Sequence, residues 1–200
     1  MSYTLKLVTG ATTPVVSTAD MKLHLRVDNT TEDTLIATLV TAATRLSEAQ
    51  TRRAFLSQVW EMYLDCFPAD DVYIALPRSP IITLDSIKYQ DEDDAQQTFA
   101  DSNYKMDDIT SAPPRISLKK DSSWPDTIDE LGVVVIRFTA GYGTAATSVP
   151  AEAIAAIKLI VGNLFENREN VSVGAAANEI PWTARTLLDA IALPEAPIEP

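Results

Sequence analysis

The chain contains one histidine, His24, and one cysteine, Cys66. No disulfide can close within it, which fits a reducing compartment. No multi-histidine or His–Cys metal cluster can form, and no Ser-His-Asp or Cys-His pair can be built without His24. Glycine is also scarce. Gly141–Tyr142–Gly143 is a fragment of a phosphate loop at most, because neither G-x-x-x-x-G-K-[ST] nor G-x-G-x-x-G occurs. No run approaches the roughly 20 apolar residues that span a bilayer. No basic start followed by an apolar run and a small-residue cleavage site opens the chain, so a soluble protein made in the cytoplasm is expected. The dispersed cations Lys119, Lys120, Arg137, Lys158 and Arg168 form no stripe, and the net charge is −12. A polyanion repels phosphate backbones, which argues against gripping nucleic acid and suits a surface that lets DNA pass.

What is present is a core. Hydrophobic residues make up 46% of 200 residues, enough for one domain, or one domain carrying an insertion. Tyr3, Leu5 and Leu7 alternate with polar residues and predict a short strand. Ser17 or Thr18 reads as the N-cap of a helix through Arg26. Thr30 with Asp33 is a loose capping box for a longer helix over 31–53. In that helix Leu35, Leu39, Ala42, Leu46 and Ala49 form the expected core stripe, widened by Ile36, Val40 and Ala43.

The period then shifts to two. Residues 59–67 predict a strand with Trp60, Met62, Leu64 and Cys66 on one face, and Val59, Tyr63 and Phe67 on the other. Further strands are expected over 72–76, 81–89 and 133–139, with weaker signals near Phe99, Tyr104–Met106 and Ile116–Leu118. Pro150 near a helix start introduces a last long helix lined by Ile154, Ile157, Val161, Leu164 and Phe165. Leu159 and Ile160 fall on its other faces, so it needs more than one neighbour. A short amphipathic element over 182–193 precedes the Pro-rich end, which forms neither helix nor sheet by itself.

The fold class read from this pattern is α+β: a mainly α-helical domain, with a small antiparallel β-subdomain inserted between the second and the last long helix, plus an extended C-terminal tail. Residues 1–54 hold the N-terminal strand and helices, 55–145 the β-region, and 146–178 the long C-terminal helix packing with the N-terminal helices. Residues 179–200 hold a short helix and a Pro-rich partner-binding tail.

Candidate chemistry is thin. His24 reads as an ordinary surface or half-buried residue, and Cys66 as a small, inert core thiol. Asp91–Asp94 resembles a calcium loop only in charge. Ala95 and Gln96 stand where an EF-hand needs an oxygen ligand and glycine, so a solvated hairpin turn is the better reading. Asp107 and Asp108 could in principle pair with it as acid and base. The residues that resist a bland account are Trp182, Leu187, Leu188, Ile191, Leu193 and Ile198, which either pack back on their own domain or dock on a partner.

Several segments, taken in order, resemble the head–tail connector (adaptor) family of long-tailed bacteriophages and gene transfer agents. They are Asp20–Asp28 with Glu32–Ile36, Leu76–Pro80 leading to Tyr89–Asp91, Phe138–Gly143, Val149–Pro150 and Asn163–Glu169. The chain departs from that family's pattern in lacking a glycine after Asp93. The resemblance implies a structural, non-enzymatic subunit in a dodecameric ring beneath the portal of the virion neck. Such a ring extends the DNA channel, offers a platform to a stopper or tail-completion protein, and uses no cofactor or metal. It further implies that Trp182, Leu187, Leu188, Ile191, Leu193 and Ile198 contact the portal protein. Leu159, Ile160 and Arg168 are then the candidate subunit-interface residues. Three readings compete with it: a neck stopper, a carboxylate- or metal-dependent hydrolase built on Asp91–Asp94 and Asp107–Asp108, and a free-standing binding module.

Overall fold

The computed structural model describes residues 2–69, 72–107, 113–167 and 181–194. Their elements are β1 (Tyr3–Thr9), α1 (Thr18–Leu25), α2 (Asp33–Thr51), β2 (Gln58–Leu64), β3 (Ile74–Ala75), β4 (Ile81–Gln90), β5 (Gln96–Thr98), β6 (Tyr104–Asp107), β7 (Arg115–Leu118), β8 (Val134–Ala140), α3 (Ala151–Glu166) and α4 (Trp182–Asp189). They fall into two compact units. One gathers Met1–Ala11, Ser57–Tyr142 and Leu193–Pro200, the other Thr12–Leu56 and Gly143–Ala192.

This corrects the expected fold class. The chain is not a mainly helical domain with a small β-insertion: helix and strand contribute comparably, and the strands form two antiparallel sheets. The five-stranded sheet has the order β1-β2-β8-β4-β5, the three-stranded sheet β3-β7-β6. The helical bias arose because long helices announce themselves through local periodicity. Strands of two to four residues such as β3, β5 and β7 carry almost no local signal and exist through pairing with remote partners. Helix α4 lies within the stretch 182–193 where a short amphipathic element was expected, and residues 195–200, the expected Pro-rich tail, lie outside the described residues.

In the five-stranded sheet the two-residue period sorts side chains cleanly. Leu5, Met62, Ile136 and Ile87 lie opposite one another in one row across four strands, and all but the edge residue Leu5 are fully buried. The adjacent row, Lys6, Glu61, Arg137 and Ser86, is polar and on the other face. Within it Arg137 reaches Glu61 at 3.3 Å, and the Tyr63 hydroxyl donates to the same carboxylate at 2.7 Å. That donation, more than desolvation, pushes the Tyr63 phenol above its ordinary pKa.

A second apolar cluster in this unit is aromatic. Phe67 stacks on Trp124 with centroids 5.0 Å apart and meets Tyr89 edge-on at 5.6 Å, while Phe99 lies 5.3 Å from Trp124 and 5.8 Å from Tyr104. Such offset and edge contacts add to the area they bury. Trp124, in the proline-punctuated stretch after β7, thus anchors backbone that has no regular structure. Asp65 accepts from the Gly132 amide at 2.9 Å, at a turn where Gly132 takes φ +70°. Cys66 lies just past β2 and is exposed, not in the core as expected, because the strand stops at Leu64 and its alternation ends there.

In the helical unit, the Ser17 hydroxyl accepts from the Asp20 amide at 3.0 Å and caps α1 as its sequence position suggests. The expected Thr30–Asp33 capping box does not form. Helix α2 starts two residues later than expected, after Glu32, and Asp33 pairs with Lys22 of α1 at 2.7 Å. The buried side of α2 is Ile36, Val40, Ala43, Ser47 and Thr51. The stripe expected to be core, headed by Leu35 and Leu46, is 38% and 43% exposed at those two residues. The two stripes lie one residue apart on the helix, and the packing of α2 against α1, α3 and α4 selects the flank with small and hydroxyl side chains. The buried Ser47 and Thr51 hydroxyls donate to the Ala43 and Ser47 carbonyls, so their burial strands no donor. Facing them, α3 buries Ala153, Ala156, Ile157, Ile160 and Val161, and α4 buries Ala184 and Leu188.

Phe138 is a large, fully buried side chain in the central strand β8, whereas Leu131 is 88% exposed. Phe138→Ala should lower the unfolding free energy in a urea titration by about 3–5 kcal/mol. Leu131→Ala should stay within about 0.5 kcal/mol of the parent.

Candidate functional site

The acidic turn is a folding device. Asp91 sits between β4 and β5; its Oδ1 accepts from the Asp93 and Ala95 amides at 3.1 and 2.9 Å, and its Oδ2 accepts from the Gln97 side chain at 2.8 Å. The Gln97 bond first and the Ala95 amide second hold the Asp91 carboxyl below the usual value. Asp94 adopts φ +59°, the conformation for which a glycine is the usual solution, and its Oδ1 accepts from Gln90 at 3.0 Å. The residue missing from the expected turn pattern is therefore replaced by an aspartate that tolerates the same backbone.

The remaining candidates do not converge with it. Asp107 is paired with Arg115 at 2.9 Å, and Asp108 lies outside the described residues. Among the described residues no group of three or more His, Cys, Asp or Glu side chains could hold a metal ion. His24 is exposed on α1. Cys66 lines a shallow, open depression with Phe67, Trp124 and Asp126, in which no histidine or lysine stands. Gly141 and Gly143 both take φ +142°, and the Gly141 amide donates to the Pro80 carbonyl at 2.8 Å. They form the exit turn of β8. Lys119 is turned onto the Asp101 carbonyl at 3.0 Å. Among the described residues no helix is long and apolar enough to cross a membrane.

The surfaces that remain are apolar. Of the residues expected to contact a portal, Trp182 opens α4 at 79% exposure, Leu187 and Ile191 are half-buried, Leu188 and Leu193 are buried, and Ile198 lies outside the described residues. Helix α4 is held to α2 by Gln50, whose side-chain amide donates to Asp189 at 3.1 Å, and by Arg53, whose Nε donates to the Ile191 carbonyl. Of the expected subunit-interface residues, Leu159 is half-buried, Ile160 is buried in α3's own packing, and Arg168 lies outside the described residues. The outer face of α2 is the surface that reading the sequence missed, because its leucines looked like core.

Both Asp91 oxygens are taken up by the turn, and among the described residues no three acidic side chains are placed to share a metal ion, so the Asp91–Asp94 loop offers no convergent ligand set. Calorimetric titration with calcium or magnesium should show no micromolar binding. In an NMR pH titration the Ala95 amide should report an Asp91 pKa below 3.8. Any stability this carboxylate contributes is present above its unfolded-state value and is lost as pH falls through the depressed folded-state value.

No family model and no curated protein matches the chain. Solved structures do match. A chain of the native gene transfer agent virion superposes with a TM-score of 0.80 at 24% identity, over 98% of both chains. A chain in the neck of an empty gene transfer agent particle, computed with C6 symmetry, gives 0.79 at 22% identity, again over 98% of each. A chain in the neck of the native particle, computed with C12 symmetry, gives 0.77 at 21% identity over the same share. From end to end the chain has the fold of chains in gene transfer agent particles, in agreement with the head–tail connector family that its sequence resembles.

Proposed function

We propose that this protein is a structural subunit of the neck of a gene transfer agent or tailed-phage particle, working by binding and not by catalysis. The observation that carries the reading is the shared fold over 98% of both chains with components of such necks. In the finer form of the proposal the protein is a head–tail adaptor. Copies of it form a ring, probed below, that seats under the portal, extends the DNA channel, and presents its far side to a stopper or tail-completion protein. Assembly takes place in the bacterial cytoplasm.

Two features support this beyond the likeness of fold. The charge of −12 lets a duplex slide past without being held, since few counterions would be released on contact. The largest exposed aromatic is Trp182, at the start of a helix that is itself anchored to its subunit. A rigidly mounted, solvent-exposed tryptophan is the kind of residue that dominates a protein–protein interface.

The test is a pull-down and affinity measurement with purified portal and, separately, with tail-tube protein. Removing residues 179–200 as a block would take Ala184 and Leu188 out of the core, so the informative variants are Trp182→Ala and a deletion of 195–200. Trp182→Ala should keep its melting temperature and weaken portal binding by at least about 2 kcal/mol, roughly thirtyfold in Kd. Binding to the tail side alone would make the protein a stopper, and binding to neither would remove it from the neck.

A further inference from the structure

The outward face of α2 has an unusual composition for a helix that meets water. Residues 34–44 contain no charged side chain, although 22% of the chain is charged. That is about three turns, or roughly 16 Å of helix. The exposed positions within it are Thr34, Leu35, Ala37, Thr38, Thr41 and Ala42. A solvated helix face ordinarily carries charges. Beyond this stretch α2 exposes Arg45, and the other helices expose Asp20 on α1, Glu152 and Glu166 at the ends of α3, and Arg185 and Asp189 on α4.

The threonines strengthen the point. Thr38 donates its hydroxyl proton to the Thr34 carbonyl at 2.9 Å, Thr41 to Ala37 at 3.0 Å and Thr44 to Val40 at 2.8 Å. Each donor is already satisfied inside its own helix, so what the face offers outward is largely methyl groups. Covering Thr38, Thr41 and Thr44 would leave none of their hydroxyl donors without an acceptor, and covering residues 34–44 would remove no charge from water. Leu35, Leu39, Ala42, Leu46 and Ala49 run along it with alternating spacings of four and three residues, the spacing with which one helix seats against another. Alanine at two of the five positions permits close approach.

We infer that this face of α2 is a flank by which one copy of the chain packs against the next. The inference rests on the neck reading above and adds to it a specific contact. Charge selects the occupant. Two copies that each carry −12 repel, and they can approach closely only across a patch clear of charge, which residues 34–44 supply. In a closed ring every copy meets two others through two different faces, so copy–copy contact covers a large part of each subunit. An anionic lipid surface is a poor alternative, since no lysine or arginine lies on this stretch.

Two measurements test it. Ala42 is exposed while Ala43 beside it is fully buried. Ala42→Glu should therefore leave the melting temperature of the purified chain unchanged and abolish ring assembly, whereas Ala43→Glu should unfold the subunit. A marked fall in melting temperature for Ala42→Glu would mean the face is already covered within the chain and would overturn the proposal. The second measurement places Thr38→benzoylphenylalanine in particles and in the purified chain, followed by irradiation and peptide mapping. A covalent dimer of this chain supports the proposal. If the particles contain the protein but the label joins another virion protein, stays within its own chain or joins nothing, the α2 contact is wrong and the neck reading stands. If the protein is absent from particles the neck reading falls, and the purified chain decides: a covalent dimer upholds the contact, and its absence at high concentration rejects it.

Discussion

The antiparallel pairing of Gln58–Leu64 with Val134–Ala140 is the constraint on which the sheet unit depends. These two strands lie at the centre of the five-stranded order, matched residue for residue without a bulge. Their register sets Met62 opposite Ile136 and Glu61 opposite Arg137, and so decides which face is dry and which is wet. A slip of one residue would exchange those faces. The irregularities lie in the pairings on either side of this central pair, between Leu7 and Thr9 where β1 meets β2 and within Ile81–Ser86 where β4 meets β8.

The helical unit solves a different problem, that of burying polar groups without stranding them. Ser47 and Thr51 face inward, Thr38 and Thr41 face outward, and all four hydroxyls are returned to the carbonyl one turn earlier. On the inner side this lets a hydroxyl side chain be buried without stranding its donor. On the outer side the same local bond makes a threonine-rich surface behave as an apolar one. A helix built this way can be covered on both sides at little desolvation cost.

The acidic character of the chain fits the same picture. Where carboxylates appear in turns they are structural: Asp91 gathers the tip of a hairpin, and Asp65 holds the amide of Gly132. Neither of these two bonds to a second titratable group in the manner of an acid–base couple. The remaining negative charge, part of a net −12, discourages tight contact with other polyanions.

Much of this was legible locally. The positions of α1, α2, β2, β4, β8 and α3 follow from periodicity, a serine cap, a proline at a helix start and β-branched runs, all of which act within a few residues. Trp182 was visible as an apolar residue without an obvious place, and the lack of a second histidine or cysteine restricted the chemistry from the outset. Tertiary structure alone decided the rest. It joined Tyr3–Thr9 to a sheet whose other strands begin at Gln58, gave two-residue β3 a partner in Arg115–Leu118, and buried Trp124 among aromatics from three segments. It also chose which of two adjacent apolar stripes on α2 faces inward. Periodicity reports that a helix has apolar faces, but the helices packed against it determine which face they cover, and that information is distributed over residues far apart in the chain.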